Sequence, residues 1–376
     1  MPDSSDYLSR AVTAAGILTN KWFPASAPSQ WVPGDYWRTP TICTLLVDLM
    51  TLTNEVDYTA TLENARQVGE GPLTWCGYYD DLTCWGRFFM HAYNYFQNQS
   101  NSAMAAPYLN DAQIVCDQLS QAWDNADGPE YCGGGIWWMR PPAPPPPSNS
   151  FKASNSSLGF MEAALSLYLA LGDEKYLDMG QKAWDWIAAN QLVDDKGLVW
   201  GALSPDCKLD PNNVPVVGLQ GNPLGPLWSL YQATKNTEYL DVADKIVAGT
   251  MSIMVWEGTK ILQDRDDAEW ASQSDDWKRN NSGDTPFKGN FSNYLGEYTK
   301  NLSALSDPIR QQKANTYGEF LRTNADAVWT NYPSTMFSMD WHTLDKDYQP
   351  IPDADEVNAS LQYSGVAVLT AAALTA

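Results

Sequence analysis

Apolar residues recur along most of this chain at helical spacing, and the recurrence itself repeats. The segment LYLALGDEKYLDMGQKAWDWI (167–187) returns as LYQATKNTEYLDVADKIVAGT (230–250). Fainter echoes are LMTLTNEVDYTATLENARQV (49–68) and AYNYFQNQSNSAMAAPYLNDAQIVCDQL (92–119). Each reads as an apolar helix, a short polar turn, a Tyr or Tyr-Leu, and a second amphipathic helix. In the best copy Tyr176, Met179, Ala183, Trp184 and Ile187 share one face of 3.6-residue periodicity. Trp85, Phe88, Phe89, Ala92 and Phe96 do the same. Alternating strand patterns are scarce.

The unit is therefore an antiparallel helical hairpin, which cannot bury its apolar face alone and must stack on its neighbours. Six hairpins of roughly 60 residues fill the length, so the pattern predicts an all-α fold closed as an (α/α)6 barrel. An open superhelix is the alternative architecture. The irregular repeat lengths and the long aromatic loops between repeats favour a closed barrel with a site at one mouth. The stretch RPPAPPPPSNS (140–150) has the composition of a stiff spacer. Repeats run on both sides of it without a change of composition, so it reads as a surface loop within a single catalytic domain spanning residues 1–376.

Charge narrows the partners. The net charge is −22 while only 18% of residues are charged, so the acidity comes from a shortage of Lys and Arg. Nucleic acid and anionic membranes would be repelled. Seventeen Trp and nineteen Tyr supply amphipathic rings suited to a neutral, hydroxyl-rich partner such as a polysaccharide, bound by a monomer. Six Cys (43, 76, 84, 116, 132, 207) and six N-x-[ST] sequons, at Asn98, Asn155, Asn280, Asn290, Asn301 and Asn358, point to a secreted protein with up to three disulfides. The opening MPDSSDYLSR is no signal peptide, and no segment, YSGVAVLTAAALTA at the C-terminus included, reads as long enough to span a bilayer.

Metal and cofactor chemistry finds little support. His91 and His342 lie far apart without Cys at zinc spacing. The loop DKDYQPIPDADE (345–356) has Asp345, Asp347 and a twelfth-position Glu, but Pro350 stands where a calcium loop needs glycine. No phosphate loop, dinucleotide fingerprint or nucleophile elbow is present. The sequence predicts no metal and no cofactor. Carboxylates remain, and TWCGYYDDLTCWGRFF (74–89) sets Asp80 beside Asp81 among aromatics. At a loop-to-helix junction the amides of the helix start stabilise one anion, while Trp75, Tyr78, Tyr79 and Trp85 desolvate the other and raise its pKa. Two carboxyls pushed apart in this way supply a nucleophile and a proton donor, and roughly 5 Å between them suits a retaining glycosidase. A helix start capped by acids is the plainer reading of the same pair.

The strings YYDDLTCWGRFFMHAYNYF, YCGGGIWW, FKASNSSLGFMEAALSLYLALGDEKYL, LQGNPLGPLWSLY and TPFKGNFSNYLGEY occur in this order within residues 75–298. Together they resemble glycoside hydrolase family 76, which contains the endo-α-1,6-mannanases and fungal cell-wall relatives proposed to act as transglycosidases. The resemblance implies an (α/α)6 barrel, a retaining mechanism, Asp80 as nucleophile and Asp81 as general acid/base. It also implies that Gly133–Gly135 with Trp137 and Trp138 line the cleft. Lys152, the step Gln220–Gly221 and the step Phe287–Lys288–Gly289 match further family motifs. Ala153, Ser157, Gly218 and Leu219 depart from the family's pattern, which bears on which sugar is gripped.

The expected activity is thus endo-cleavage of α-1,6-mannosidic bonds with retention. Asp80 attacks the anomeric carbon, Asp81 protonates the leaving oxygen, and Asp81 then deprotonates water. Candidate sugar contacts are Trp75, Tyr78, Tyr79, Trp85, Trp137, Trp138, Lys152, Gln220 and Lys288, with Arg87 pairing with an acid or holding Asp80 ionised. Rival readings are transfer to a second sugar, a carbohydrate-binding barrel without catalysis, and a uronyl hydrolase, the last disfavoured by the shortage of Arg and His.

Overall fold

The computed structural model describes residues 4–26, 36–69, 77–126, 132–140 and 151–376. Trp75, Cys76 and nearly all of the proline-rich stretch, residues 141–150, lie outside the described residues. Among the described residues, twelve helices of eleven residues or more form two concentric layers. The outer layer holds α1 (Ser4–Lys21), α3 (Thr59–Gly69), α5 (Ser102–Ala122), α7 (Glu174–Ala189), α10 (Glu238–Ile253) and α14 (Pro308–Asn331). The inner layer holds α2 (Arg38–Leu52), α4 (Tyr79–Asn98), α6 (Ser154–Leu171), α9 (Leu224–Thr234), α13 (Phe287–Ser303) and α15 (Asp355–Thr375). Each inner helix packs on the next, and α15 packs on α2, which closes the ring. The short helices α8 (Val217–Gly221), α11 (Asp267–Trp270) and α12 (Asp275–Asn280) sit in the connections. The strands β1 (Lys152–Ala153) and β2 (Ala202–Leu203) pair antiparallel beside the start of α6.

All four sequence echoes fall on inner-to-outer hairpins. In the clearest, α6 ends on Gly172 in the left-handed region (φ 70°), which any side chain would strain, and Asp173 caps α7 by accepting from the Lys175 amide. Tyr176, Ala183, Trp184 and Ile187 are buried as the periodicity predicts, and Met179 packs against them at the core margin. Trp85, Phe88, Phe89, Ala92 and Phe96 are buried as well.

The sixth hairpin differs from expectation. It is assembled from the two ends of the described chain: α1 packs along α15, and Ser4 Oγ donates to the Ala373 carbonyl at 2.9 Å. Every residue of α15 from Val357 to Ala373 is buried. That burial explains a pattern the sequence reading missed, because α15 is long and apolar enough to cross a membrane, yet 94% of its most apolar stretch is enclosed by the barrel.

The cysteines and sequons can be placed as well. Among the described residues there is one disulfide, Cys132–Cys207, while Cys43, Cys84 and Cys116 are free thiols. Of the sequons, Asn98 and Asn280 are exposed and Asn301 is half-buried. Asn358 is buried and exchanges two hydrogen bonds with the Ile351 backbone, which leaves it no room for a glycan, while Asn155 and Asn290 line the cavity.

Because α1 supplies the outer partner of α15, its core residues carry the closure. Leu18→Ala is expected to lower the unfolding free energy by about 3 kcal/mol in urea denaturation, the cost of deleting a fully buried leucine without relaxation.

Candidate active site

The mouth of the barrel is organised by a short backbone pairing. Tyr78 is extended (φ −129°, ψ 136°) and lies against Met139; the Tyr79 amide donates to the Trp138 carbonyl, and the Arg140 amide donates to the Gly77 carbonyl, each at 2.9 Å. This pairing fixes where α4 begins, so Asp80 and Asp81 occupy its first turn, where amides lack partners within the helix. Both line a cavity of about 620 Å³ enclosed by the inner helices.

Asp80 Oδ2 accepts two hydrogen bonds, from Trp138 Nε1 at 3.0 Å and from Asn155 Nδ2 at 2.8 Å. Its other oxygen, Oδ1, is buried with no protein partner. Burial pushes the Asp80 carboxyl up to about 6, against the opposing pull of Trp138, Asn155 and the backbone amides of Asp81 and Asp80. The sequence argument assigned amide stabilisation to one aspartate and desolvation to the other. The structure places both on Asp80.

Below the acids the cavity ends in an ionic plug. Arg87 pairs with Glu162 of α6 and, at 2.5 Å, with Glu297 of α13; it also donates to Asn293 Oδ1 at 2.8 Å. Its guanidinium lies 3.8 Å from the centre of the Tyr294 ring, whose hydroxyl donates to Glu162 at 2.7 Å. Arg87 therefore bridges the barrel rather than contacting Asp80. Beneath it, Asp48, His91 and Glu297 form a cluster of metal-ligand type. His91 Nδ1 is 2.9 Å from Asp48, which also accepts from Asn293, and the Arg87 cation already occupies Glu297. The donors are committed to one another and to a fixed cation, so the set does not fit a metal ion.

Several expected sugar contacts lie off the cavity. Trp85 is fully buried against Phe88 and Phe89. Trp137 is buried, donating to Asp124 at 2.9 Å beneath the Lys152 ammonium, and Lys152 pairs with the same Asp124 at 2.8 Å. Gln220 is fully buried and clamps the backbone of Val199 and Val216. Lys288 is buried on Asp267 and the Met339 carbonyl. Tyr79 packs behind the wall under Arg140. These residues build the walls from behind. Tyr78 and Trp138 do reach the cavity, their rings 4.6 Å apart, and Trp138 also stacks on Phe151 at 5.1 Å. Of the residues that depart from the family pattern, Ala153 and Ser157 are buried, Ser157 accepting from the Ile136 amide, whereas Gly218 and Leu219 line the cavity.

Sequence reasoning missed Asn155, which it took for a sequon, and Glu162. The signal for Glu162 was a lone acid inside the apolar run GFMEAALSLYL, seven positions after Asn155 and hence on the same helical face.

The rim beside Phe287 rests on a second set of buried acids. Asp264 accepts from the Val217 amide that starts α8, Asp267 holds Lys288, and Asp284 binds Arg265 through two contacts. Burial lifts Asp264 to about 7 and Asp267 to about 6, and raises Asp284.

A closed ring of helical hairpins, with two adjacent carboxylates in an aromatic-walled cavity at its mouth, is the architecture of a carbohydrate-cleaving barrel. The chain belongs to glycosyl hydrolase family 76, which matches residues 9–375. It is 30% identical over 115 residues to a Schizosaccharomyces pombe protein named as a mannan endo-1,6-alpha-mannosidase, a match that spans 31% of this chain and 24% of that protein, about a quarter of the relative's length. Among solved structures, the fold resembles an inactive variant of an alpha-1,6-mannanase of Salegentibacter sp., altered at two neighbouring aspartates and bound to alpha-1,6-mannotriose. The TM-score is 0.73 at 19% identity, with 98% of this chain and 100% of that one covered. It also resembles Dfg5 of Chaetomium thermophilum in complex with glucosamine, with a TM-score of 0.74 at 17% identity, covering 98% and 90%. At these identities the likeness establishes a shared fold.

The raised carboxyls Asp264 and Asp267 each contribute to the pH dependence of stability with a definite sign. A folded-state pKa above the unfolded value of about 3.9 means the folded protein binds the proton more tightly; the stabilisation is full below pH 4 and is lost as pH rises through 6 to 7. Asp264→Asn is expected to raise Tm relative to the parent more at pH 8 than at pH 5, by on the order of 1–3 kcal/mol when expressed as stability, followed by thermal melting across that range.

Proposed function

We propose that this protein is a retaining endo-glycosidase that cleaves α-1,6-mannosidic bonds, acting outside the cell as a monomer. The observation that carries the reading is the division of labour within one carboxylate. Two donors hold Asp80 Oδ2, Oδ1 is buried without a hydrogen-bond partner, and the residue lines the cavity. An oxygen without hydrogen bonds, on a group oriented by two donors to its other oxygen, is the one left to attack an anomeric carbon. Asp81, on the same turn and the same cavity, is assigned to protonate the departing glycosidic oxygen, since the other acids of the wall, Glu162 and Asp284, are ion-paired with Arg87 and Arg265.

In the first step the Oδ1–C1 bond forms as the C1–O bond breaks, and Asp81 passes its proton to the leaving sugar. Oδ2 becomes the carbonyl oxygen of the glycosyl ester and keeps Trp138 and Asn155 as donors. In the second step Asp81 removes a proton from water, which attacks C1 and frees Asp80. Family membership supports a glycoside hydrolase, and the mannan-related names of its relatives support the linkage. The disulfide and the strong negative charge support an extracellular site. Transfer to a second sugar in place of water is the other reading, supported by a cavity wall that carries Trp37 and Phe287 as well as Tyr78, Trp138 and Phe151.

Asp80→Asn and Asp81→Asn are each expected to lower turnover of unbranched α-1,6-mannan at least about a thousandfold while the protein stays folded. An Asp80→Asn protein with parental activity removes the proposed nucleophile. Product analysis by chain length separates hydrolysis, which gives only shorter chains, from transfer, which also gives longer ones. Asp80 must be ionised to attack, so kcat/KM is expected to fall tenfold per unit below about pH 6. Asn155→Ala removes a donor that favours the ionised form, so it moves that acid limb to higher pH. An unmoved limb contradicts the assignment of the limb to Asp80.

A further inference from the structure

The cavity mouth carries aromatic surface that this chemistry does not use. Trp37 immediately precedes α2 and Phe287 opens α13; both are half-exposed on the cavity wall, with ring centres 6.3 Å apart. Arg38 braces them. Its guanidinium lies 5.4 Å from the Trp37 ring centre and donates to the Ser282 carbonyl at 2.9 Å and the Ser282 hydroxyl at 3.2 Å, tying α2 to the turn that leads into α13. The Phe287 ring rests against bare backbone at Gly218, where an added Cβ would come within 2.8–2.9 Å of it. Around the ring of inner helices α13 lies three places from α4, so Phe287 stands across the barrel from Asp80 and from the Tyr78–Trp138–Phe151 group.

We infer that Trp37 and Phe287 form a second sugar-binding platform, which together with Trp138 and Phe151 brackets the two acids. The inference rests on the glycosidase reading of the site and extends it to the length of glycan required. Ring faces pack on the C–H faces of neutral sugars. The plug of Arg87, Glu162 and Tyr294 closes the cavity below, so a polysaccharide cannot run down the barrel axis and lies across the mouth. Sugars on both sides of the scissile bond then meet one platform each. A chain that reaches only one platform binds without the second contact, and this gives the enzyme a preference for longer substrates. Gly218 belongs to the same device without touching sugar, because its missing side chain gives Phe287 its place.

The test compares Trp37→Ala, Phe287→Leu and Gly218→Ala with the parent on α-1,6-mannooligosaccharides of two to six units, with thermal melts to confirm folding. In each variant the ratio of KM for the two-unit to the six-unit substrate is expected to fall about tenfold, the equivalent of 1.4 kcal/mol of lost contact on the long substrate. A uniform loss at all lengths, or a Gly218→Ala protein with the parental length preference, overturns the platform. Calorimetric binding of the same oligosaccharides to the Asp80→Asn/Asp81→Asn protein, with and without Trp37→Ala, separates this inference from the catalytic one. Length-dependent affinity that Trp37→Ala abolishes supports the platform even if the parent cleaves none of the substrates. Affinity that Trp37→Ala leaves unchanged, or no binding, overturns it.

Discussion

A carboxylate taken out of water must be hydrogen-bonded, paired or neutral. Asp80 meets that constraint by halves, and the rest of the site follows from how it does so. One oxygen is satisfied twice over by Trp138 and Asn155, while the other has no partner. The result is a carboxyl pushed up to about 6 by burial and oriented through one oxygen. Both donors come from outside α4: Trp138 from the segment leading out of the disulfide at Cys132, Asn155 from the start of α6. Asp80 therefore keeps its geometry only while α4, α6 and the loop between them remain in register.

The barrel maintains that register with buried polar ties rather than with apolar packing alone. Asp124 binds Trp137 and Lys152 together, which seats the loop behind Trp138. Arg87 joins α4, α6 and α13 across the axis, and Asp267 with Lys288 anchors the opening of α13. Breaking any such tie leaves a buried charge uncompensated, so each is costly to disturb and specifies one arrangement of the walls. The same feature gives the cavity a blind floor and confines a long substrate to the mouth.

The architecture was legible in the sequence because hairpin stacking imposes a period that survives divergence, and four of six hairpins showed it. The sixth was hidden because its halves lie at opposite ends of the described chain. The adjacent aspartates were legible because an acidic pair in an aromatic frame breaks the local pattern. What surrounded them was not, since a motif tryptophan or lysine reads the same whether it faces a ligand or a buried partner. Trp137 and Lys152 face Asp124, whereas the neighbouring Trp138 faces Asp80. One residue of difference reverses the role, and only the pairing of residues 77–79 with 138–140 decides it. Asn155 was misread for a related reason: a sequon is defined by sequence, and its availability by the fold.

The central claim is that the bare oxygen of Asp80 forms a bond to sugar. The most direct measurement is mass spectrometry of the protein after incubation with an activated 2-deoxy-2-fluoro-α-mannosyl donor, followed by peptide mapping. The account predicts a single glycosyl adduct, located on Asp80. An adduct on Asp81 or on any other residue, or release of product with inverted configuration and no adduct, would contradict it.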